Sequence, residues 1–72
     1  MNLETERLNL IGHKHSGGYD FVVYNKADPS YSIGEVNLFV DEKIGEIWVA
    51  IKEPYRGLDF GPEAVKAVSE YA

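Results

Sequence analysis

Apolar and polar residues alternate along most of the chain before residue 52, and this alternation is typical of β-strands with one buried face. It predicts four strands, at about 6–11, 19–25, 31–40 and 45–51. The polar residues before the first strand are expected to fray. Glycine, serine and proline interrupt the pattern at 13–18 and 26–30, and a short polar segment does so at 41–43, so these are the predicted turns.

The period changes to that of a helix after Gly61. Apolar residues then recur at three- and four-residue spacings and form one stripe, consisting of Ala64, Val65, Val68, Tyr71 and Ala72. Gly61 at the cap and Pro62 at the first helical position are a start signal, so a helix is predicted over about 62–72. The prediction is an α+β fold: a four-stranded, mostly antiparallel sheet with one C-terminal helix on one face.

A single helix covers only one face of such a sheet. The apolar candidates for the other face are Phe21, Val23, Ile33, Phe39 and Trp48. A large aromatic residue in a central strand, such as Trp48, is more often part of a core than a cover for a ligand. We therefore expect the second face to meet another copy of the chain in a homodimer.

Composition narrows the choice of function. The chain has 72 residues, no cysteine and a net charge of −5, so residues 1–72 are expected to form one small domain without disulfides. An acidic balance argues against nonspecific nucleic-acid binding. Apolar runs of only a few residues predict neither a signal peptide nor a membrane-spanning helix. The absence of cysteine fits a cytoplasmic protein.

Candidate chemistry is concentrated between the fourth strand and the helix, where Arg56, Gly57 and Gly61 share one loop. A glycine-containing loop before a helix presents backbone N–H groups and the positive end of the helix dipole to an anion. Arg56 adds a positive charge. Loops of this kind are also common in purely structural roles, and that alternative stays open.

His13 and His15 lie two residues apart and would share one face of a strand. Such a pair could begin a metal site, but no third ligand is evident nearby. A solvated turn is the favoured interpretation, and no metal is predicted.

Two segments carry a family resemblance. The first is Glu4-Thr5-Glu6-Arg7-Leu8, and the second runs from Gly45-Glu46-Ile47 through Tyr55-Arg56-Gly57 to Gly61 and Glu63-Ala64. They resemble the opening strand and the coenzyme-holding strand, loop and helix of the GNAT acetyltransferase superfamily, especially the branch that acetylates ribosomal-protein N-termini. The resemblance covers most of this chain but only the N-terminal half of a normal family domain.

The resemblance implies binding of acetyl-CoA. Arg56, Gly57 and Gly61 fall on positions that cradle the pyrophosphate, and Leu58, Asp59 and Phe60 complete that loop. Val49, Ala50 and Ile51 fall where the strand pairs with the pantetheine arm. Glu46 falls where some members place a carboxylate that deprotonates the acceptor amine, which is needed because a protonated amine is not a nucleophile.

The chain also departs from the family pattern. Asp59 stands at the central glycine of the loop and brings a negative charge, while Pro62 replaces a threonine or serine and has no N–H to donate. The two acceptor-binding helices and the second half, with its tyrosine acid, have no counterpart. Three hypotheses follow: an acetyltransferase-like protein that acts when a partner completes its sheet, a non-catalytic binding or dimerisation module, and a truncation without a function of its own.

Overall fold

The computed structural model of the chain describes residues 1–40 and 45–71. Its elements are β1 (Asn2–Glu4), β2 (Leu8–His15), β3 (Gly18–Asn25), β4 (Asp28–Val40), β5 (Gly45–Ile51), a 3₁₀ turn (Glu53–Tyr55) and α1 (Phe60–Tyr71). The α+β class, the antiparallel sheet and the C-terminal helix are confirmed. The predicted turn at 41–43 and Ala72 lie outside the described residues.

The described strands form one antiparallel sheet in the order β1-β2-β3-β4-β5, and each strand pairs with its neighbour in sequence. The prediction of four strands was wrong by one, because Asn2–Glu4 pairs with Asn9–Ile11 instead of fraying. The pattern misses β1 because three residues are too few to show a period. Cross-strand contact of Leu3 with Leu10 gives this short strand its place.

The core lies between the sheet and α1. It consists of Leu8, Leu10, Phe21, Val23, Ile33, Val36, Leu38, Phe60, Ala64 and Val68. Each fully buried large apolar side chain of this kind contributes about 1.5–3 kcal/mol. On the helix, Ala64 and Val68 of the predicted stripe are buried, and the ring of Tyr71 packs edge-on to that of Tyr19 at 5.9 Å between centroids. The part of the stripe that contains Ala64, Val68 and Tyr71 therefore faces the sheet, as predicted.

The assignment of residues to the two faces was partly wrong. Phe21, Val23 and Ile33 lie under the helix and are at most 1% exposed, whereas Phe39 and Trp48 lie on the uncovered face and are 42% and 59% exposed. The expectation of a core position for Trp48 was also wrong. Its strand lies at the edge of the described sheet, where neither neighbour nor helix covers the outer face.

An irregularity in register explains the position of Ile33. Val23 pairs with Gly34, but the next residue of β3, Tyr24, pairs with Ser32. One residue of β4 is therefore extra, as in a β-bulge, and two successive side chains can point to the same side. Ile33 thus joins Val36 in the core, although strict alternation places these two residues on opposite faces.

Three boundaries also differ from the prediction. β2 continues to His15, so the turn before β3 contains only Ser16 and Gly17. β4 begins at Asp28 and includes Pro29, which does not stop the strand because it lies in the irregular stretch before Ser32, where the ladder to β3 is interrupted. The helix begins at Phe60, two residues early, and buries that aromatic ring.

Gly18 and Gly34 allow close approach of neighbouring strands. A Cβ atom on Gly18 would lie 1.8 Å from the carbonyl oxygen of Leu38, and one on Gly34 would lie 2.2 Å from that of Ala50. Only glycine fits such contacts, so these residues help to set the register of β3, β4 and β5. Within the described ranges, no helix is long and apolar enough to cross a membrane.

Candidate functional site

The β5–α1 loop surrounds a small cavity at the N-terminus of the helix. Its volume is about 220 Å³, and it is lined by Ile51, Tyr55, Arg56, Gly57, Asp59, Phe60, Gly61 and Pro62. The 3₁₀ turn closes one side, since Pro54 fixes the backbone there and Tyr55 N–H donates to the carbonyl of Lys52 at 2.9 Å. Strand end, turn and helix start therefore meet at one point.

Two residues of this loop have left-handed backbone conformations. Gly57 has φ of +82° and Asp59 has φ of +62°. Glycine adopts this region without steric cost, and aspartate is one of the few other residues that tolerate it. Asp59 thus adopts a conformation that a glycine at this position would also favour, and it adds a carboxylate beside the cavity. Compared with glycine, Asp59 therefore changes mainly the charge of the loop and not its backbone conformation.

Arg56 is held against the end of β5. Its Nε donates to the carbonyl oxygen of Ile51 at 2.9 Å, and its backbone N–H donates to the carbonyl of Glu53 at 3.2 Å. The side chain is exposed, so its charge is available to solvent at the cavity. An arginine guanidinium has five N–H donors, and one contact leaves most of them for an anion.

The start of α1 has both favourable and unfavourable features for binding an anion. The carbonyl of Asp59 accepts the N–H of Glu63 at 3.3 Å, which begins the helical ladder. Pro62 has no N–H, so one of the donors that a helix N-terminus usually offers is missing. Asp59 adds negative charge where Arg56 adds positive charge. The cavity therefore has an arginine beside a helix N-terminus, but a carboxylate and a missing N–H reduce the attraction that it offers to an anion.

Glu63 joins the helix to the segment between β1 and β2. Its Oε2 accepts the hydroxyl of Thr5 and, at 3.2 Å, the backbone N–H of Arg7, and its Oε1 accepts Nε of Arg7 at 2.7 Å. Arg7 also donates to the carbonyl of Leu58 at 3.0 Å, and its guanidinium lies 4.5 Å from the ring centroid of Phe60. We call these residues (Thr5, Arg7, Glu63 with Leu58 and Phe60) the latch.

The latch affects the acid–base behaviour of its carboxylate. Burial raises the pKa of Glu63, but the hydrogen bonds from Thr5 and Arg7 and the charge of Arg7 outweigh burial and lower this pKa below its ordinary value of 4.5. Glu63 is therefore ionised at neutral pH and is satisfied by the latch. Its charge is directed to Arg7 and not to the cavity.

The structure brings together six of the nine residues predicted to bind the coenzyme: Ile51, Arg56, Gly57, Asp59, Phe60 and Gly61 line the cavity. Leu58 is half exposed and contributes its carbonyl to the latch. Val49 and Ala50 lie upstream on β5 with side chains on opposite faces, as alternation requires. They do not line this cavity.

Glu46 lies apart from the loop. It is on the uncovered face near the start of β5, and it lines a groove of about 450 Å³ with Asn37, Phe39 and Trp48. Four residues of the strand lie between Glu46 and Ile51, and the five steps along the strand correspond to about 16 Å. The structure thus places the predicted base and the predicted anion loop at opposite ends of the same strand.

A second cavity is less suited to an anionic ligand such as a phosphate. It has a volume of about 540 Å³ and lies between the N-terminal segment and the helix, and its lining includes Glu4, Glu6, Glu63 and Glu70. So many carboxylates disfavour a phosphate there.

On the uncovered face, Nε2 of His15 lies 3.3 Å from Oδ1 of Asp20, and Asn37 donates to the same oxygen at 2.7 Å. No group of three or more potential metal ligands occurs within residues 1–40 and 45–71.

The latch was not predicted from the sequence. Thr5, Arg7 and Glu63 belong to the two segments that resemble the GNAT superfamily, but no local pattern connects residues that lie 56 or 58 positions apart. The signal available in the sequence was a Thr-x-Arg segment near the N-terminus together with a glutamate in the first turn of the helix.

The chain was compared with protein-family models, with curated proteins and with solved structures, and none of the three comparisons gave a match. The interpretation of the site therefore rests on its own residues and geometry.

Proposed function

We propose that the chain is a GNAT-like module that binds a coenzyme A thioester at the β5–α1 loop. The proposed thioester is acetyl-CoA. The observation that carries the proposal is the cavity at the helix N-terminus. It collects Arg56, two left-handed loop residues (Gly57 and Asp59) and the end of β5 in one place. A pyrophosphate is an anion for which helix N-termini and arginine side chains are suited.

The strand edge supports the same proposal. β5 lies at the edge of the described sheet and leads directly into the loop. An extended chain with amide groups, such as pantetheine, can add to a strand edge through backbone hydrogen bonds. In this arrangement Val49, Ala50 and Ile51 would lie along the arm, with Val49 and Ile51 offering outward backbone groups, while the loop would hold the pyrophosphate.

Asp59 and Pro62 reduce the affinity to be expected. Each unfavourable charge near a phosphate costs roughly 1 kcal/mol or more, depending on exposure. A missing N–H removes one hydrogen bond of about 1 kcal/mol. We therefore propose weak binding, in the range of high micromolar to millimolar dissociation constants, which corresponds to about −4 to −6 kcal/mol.

Transfer of the acetyl group is the finer part of the proposal. Glu46 would accept a proton from the acceptor amine, directly or through water, so that the amine nitrogen attacks the thioester carbonyl carbon and the coenzyme thiolate leaves. The alternative is a GNAT-derived module that binds or dimerises without catalysis. The substitutions at residues 59 and 62 favour this alternative, because they weaken the coenzyme site itself.

Calorimetric titration with CoA and with acetyl-CoA tests the proposal. Asp59→Gly is expected to tighten binding by about fivefold to tenfold, since it removes a like charge and keeps the left-handed conformation available. Leu58→Ala is a matched loop control, because its exposed side chain does not line the cavity. No heat of binding at millimolar ligand, for the wild type and for Asp59→Gly, would disprove coenzyme binding.

Catalysis is tested separately by acetylation of amine-bearing peptides, followed by mass spectrometry. The finer proposal predicts acetylated product that is lost in Glu46→Gln while CoA affinity is unchanged. Binding without any product supports the non-catalytic alternative.

A further inference from the structure

The two edges of the described sheet differ in their exposure to another strand. β1 is only three residues long and includes Glu4, which pairs with Lys26 at 2.6 Å. β5 is seven residues long and contains neither lysine nor proline, and its ladder to β4 is regular throughout. Short, charged or irregular edges resist pairing with another chain, whereas long regular edges without such features invite it. β5 carries one charged residue, Glu46, but it is long and regular, so it is the less protected of the two edges.

The hydrogen-bonding pattern shows which groups of β5 point outward. The N–H of Lys52 donates to the carbonyl of Ile33 on β4 at 2.9 Å, so the even-numbered residues of this strand direct their backbone groups toward β4. The odd-numbered residues then point away from it. In agreement, the carbonyl of Ile51 is reached from outside by Arg56 Nε. The turn, loop and cap hydrogen bonds of the described residues do not reach the outward groups of Ile47 and Val49.

We propose that β5 pairs antiparallel with β5 of a second copy of this chain, with Trp48 at the two-fold axis. This register uses the outward N–H and C=O groups of Ile47 and Val49, which lie opposite each other across the axis. It leaves the contact between Ile51 and Arg56 at the end of the paired segment. A register centred on Val49 would instead place the occupied carbonyl of Ile51 opposite Ile47, in the hydrogen-bonded pairs on either side of the central Val49 pair.

Side chains also fit this register. The two Trp48 side chains face each other as a non-hydrogen-bonded pair, in which side chains approach most closely and aromatic pairs are stabilising. Glu46, the single charged residue of β5, lies opposite Ala50, so no like charges meet. On the helix side Ile47 lies opposite Val49. The 59% exposure of Trp48 and the 44% exposure of Val49 would both decrease in the dimer.

The proposal differs from the face-to-face homodimer expected from the sequence, and it does not depend on coenzyme binding. Trp48 and Phe39 distinguish the two arrangements. Both are exposed aromatics on the uncovered face, but Trp48 lies on the edge strand and Phe39 on the neighbouring strand β4. A face-to-face dimer needs both residues, whereas edge pairing needs only Trp48.

Sedimentation velocity over a range of concentrations, with the 72-residue chain and its Trp48→Glu and Phe39→Glu variants, tests the inference. We expect the wild type and Phe39→Glu to approach twice the monomer mass of 8.1 kDa, and Trp48→Glu to stay monomeric, because two glutamates would meet at the axis. Amide hydrogen exchange supplies a second measurement. The N–H groups of Ile47 and Val49 should exchange several-fold more slowly in the concentrated sample, while that of Trp48, which faces β4, should not change.

Three results would overturn the proposal. The first is a monomer at every concentration, which would leave the edge to another occupant. The second is loss of the dimer in both variants, which would indicate face-to-face association. The third is a dimer in which exchange at Ile47 and Val49 does not depend on concentration.

Discussion

Nε of Arg7 lies 2.7 Å from Oε1 of Glu63 and joins the segment before β2 to the first turn of α1. The same guanidinium binds the carbonyl of Leu58, the residue before the left-handed Asp59. The N-terminal motif therefore holds the loop that forms the candidate coenzyme cavity. This gives a physical role to the ETERL segment in a structure where it does not line the cavity.

Removing the latch is expected to destabilise the chain. Arg7→Gln loses a charged hydrogen bond to Glu63 and the contact with the Phe60 ring, so the free energy of unfolding should fall by about 1–2 kcal/mol. Urea denaturation followed by circular dichroism measures this change. Lys26→Gln, which breaks the exposed pair with Glu4, is the control and should have a clearly smaller effect. Equal effects of the two variants would argue against the latch.

Stability should depend on pH through Glu63. Its pKa in the folded chain is lower than the ordinary value of 4.5, so the folded state binds a proton less readily than the unfolded state does. The contribution of Glu63 is therefore fully present above pH 4.5 and decreases as the pH falls through the lower, folded-state pKa. The difference in unfolding free energy between the wild type and Glu63→Gln should shrink over that acid range. A difference that stays constant to low pH would contradict this assignment.

Two glycines that line the cavity, Gly57 in the loop and Gly61 in the first turn of α1, should respond differently to alanine. Gly57→Ala places a Cβ on a residue with φ of +82° and should cost about 1–2 kcal/mol, although nothing lies within 4 Å of the added atom. Gly61→Ala is the matched control. It lies in the first turn of α1, its Cβ would meet Ile51 Cγ1 at an ordinary 3.6 Å, and its φ is not left-handed, so Gly61→Ala should cost clearly less than Gly57→Ala. Thermal unfolding of both variants measures the contrast, and equal losses would mean that backbone conformation is not the cause.

Coenzyme binding and edge pairing should compete, because the pantetheine arm and the second copy would both use the outward backbone groups of Val49. CoA is expected to lower the dimer fraction in sedimentation experiments, and the dimer is expected to bind CoA more weakly than the monomer, as linkage requires. The Trp48→Glu monomer is the control, since its CoA affinity should not vary with protein concentration. An unchanged dimer at saturating CoA would show that the two ligands use different parts of the strand.

Local pattern was sufficient for most of the fold. Alternation around Phe21 and around Ile47 identified two strands to within a residue, because side chains of a strand alternate whatever its partners are. The stripe at Ala64 and Val68 identified α1, because the 3.6-residue period of a helix is likewise a local property of the chain. The predicted loop residues converged because they are neighbours in the chain between a strand and a helix.

Tertiary structure decided the features that depend on contacts between residues far apart in the sequence. The extra residue in β4 moved Ile33 into the core, pairing with Leu10 ordered the short β1, and the sheet edge left Trp48 exposed. The sequence by itself determined where the strands and helix lie and which loop carries candidate chemistry, since these follow from local periodicity and backbone preference. Register, face and the latch between Arg7 and Glu63 arise from contacts between residues far apart in sequence, and only the folded chain brings those residues together.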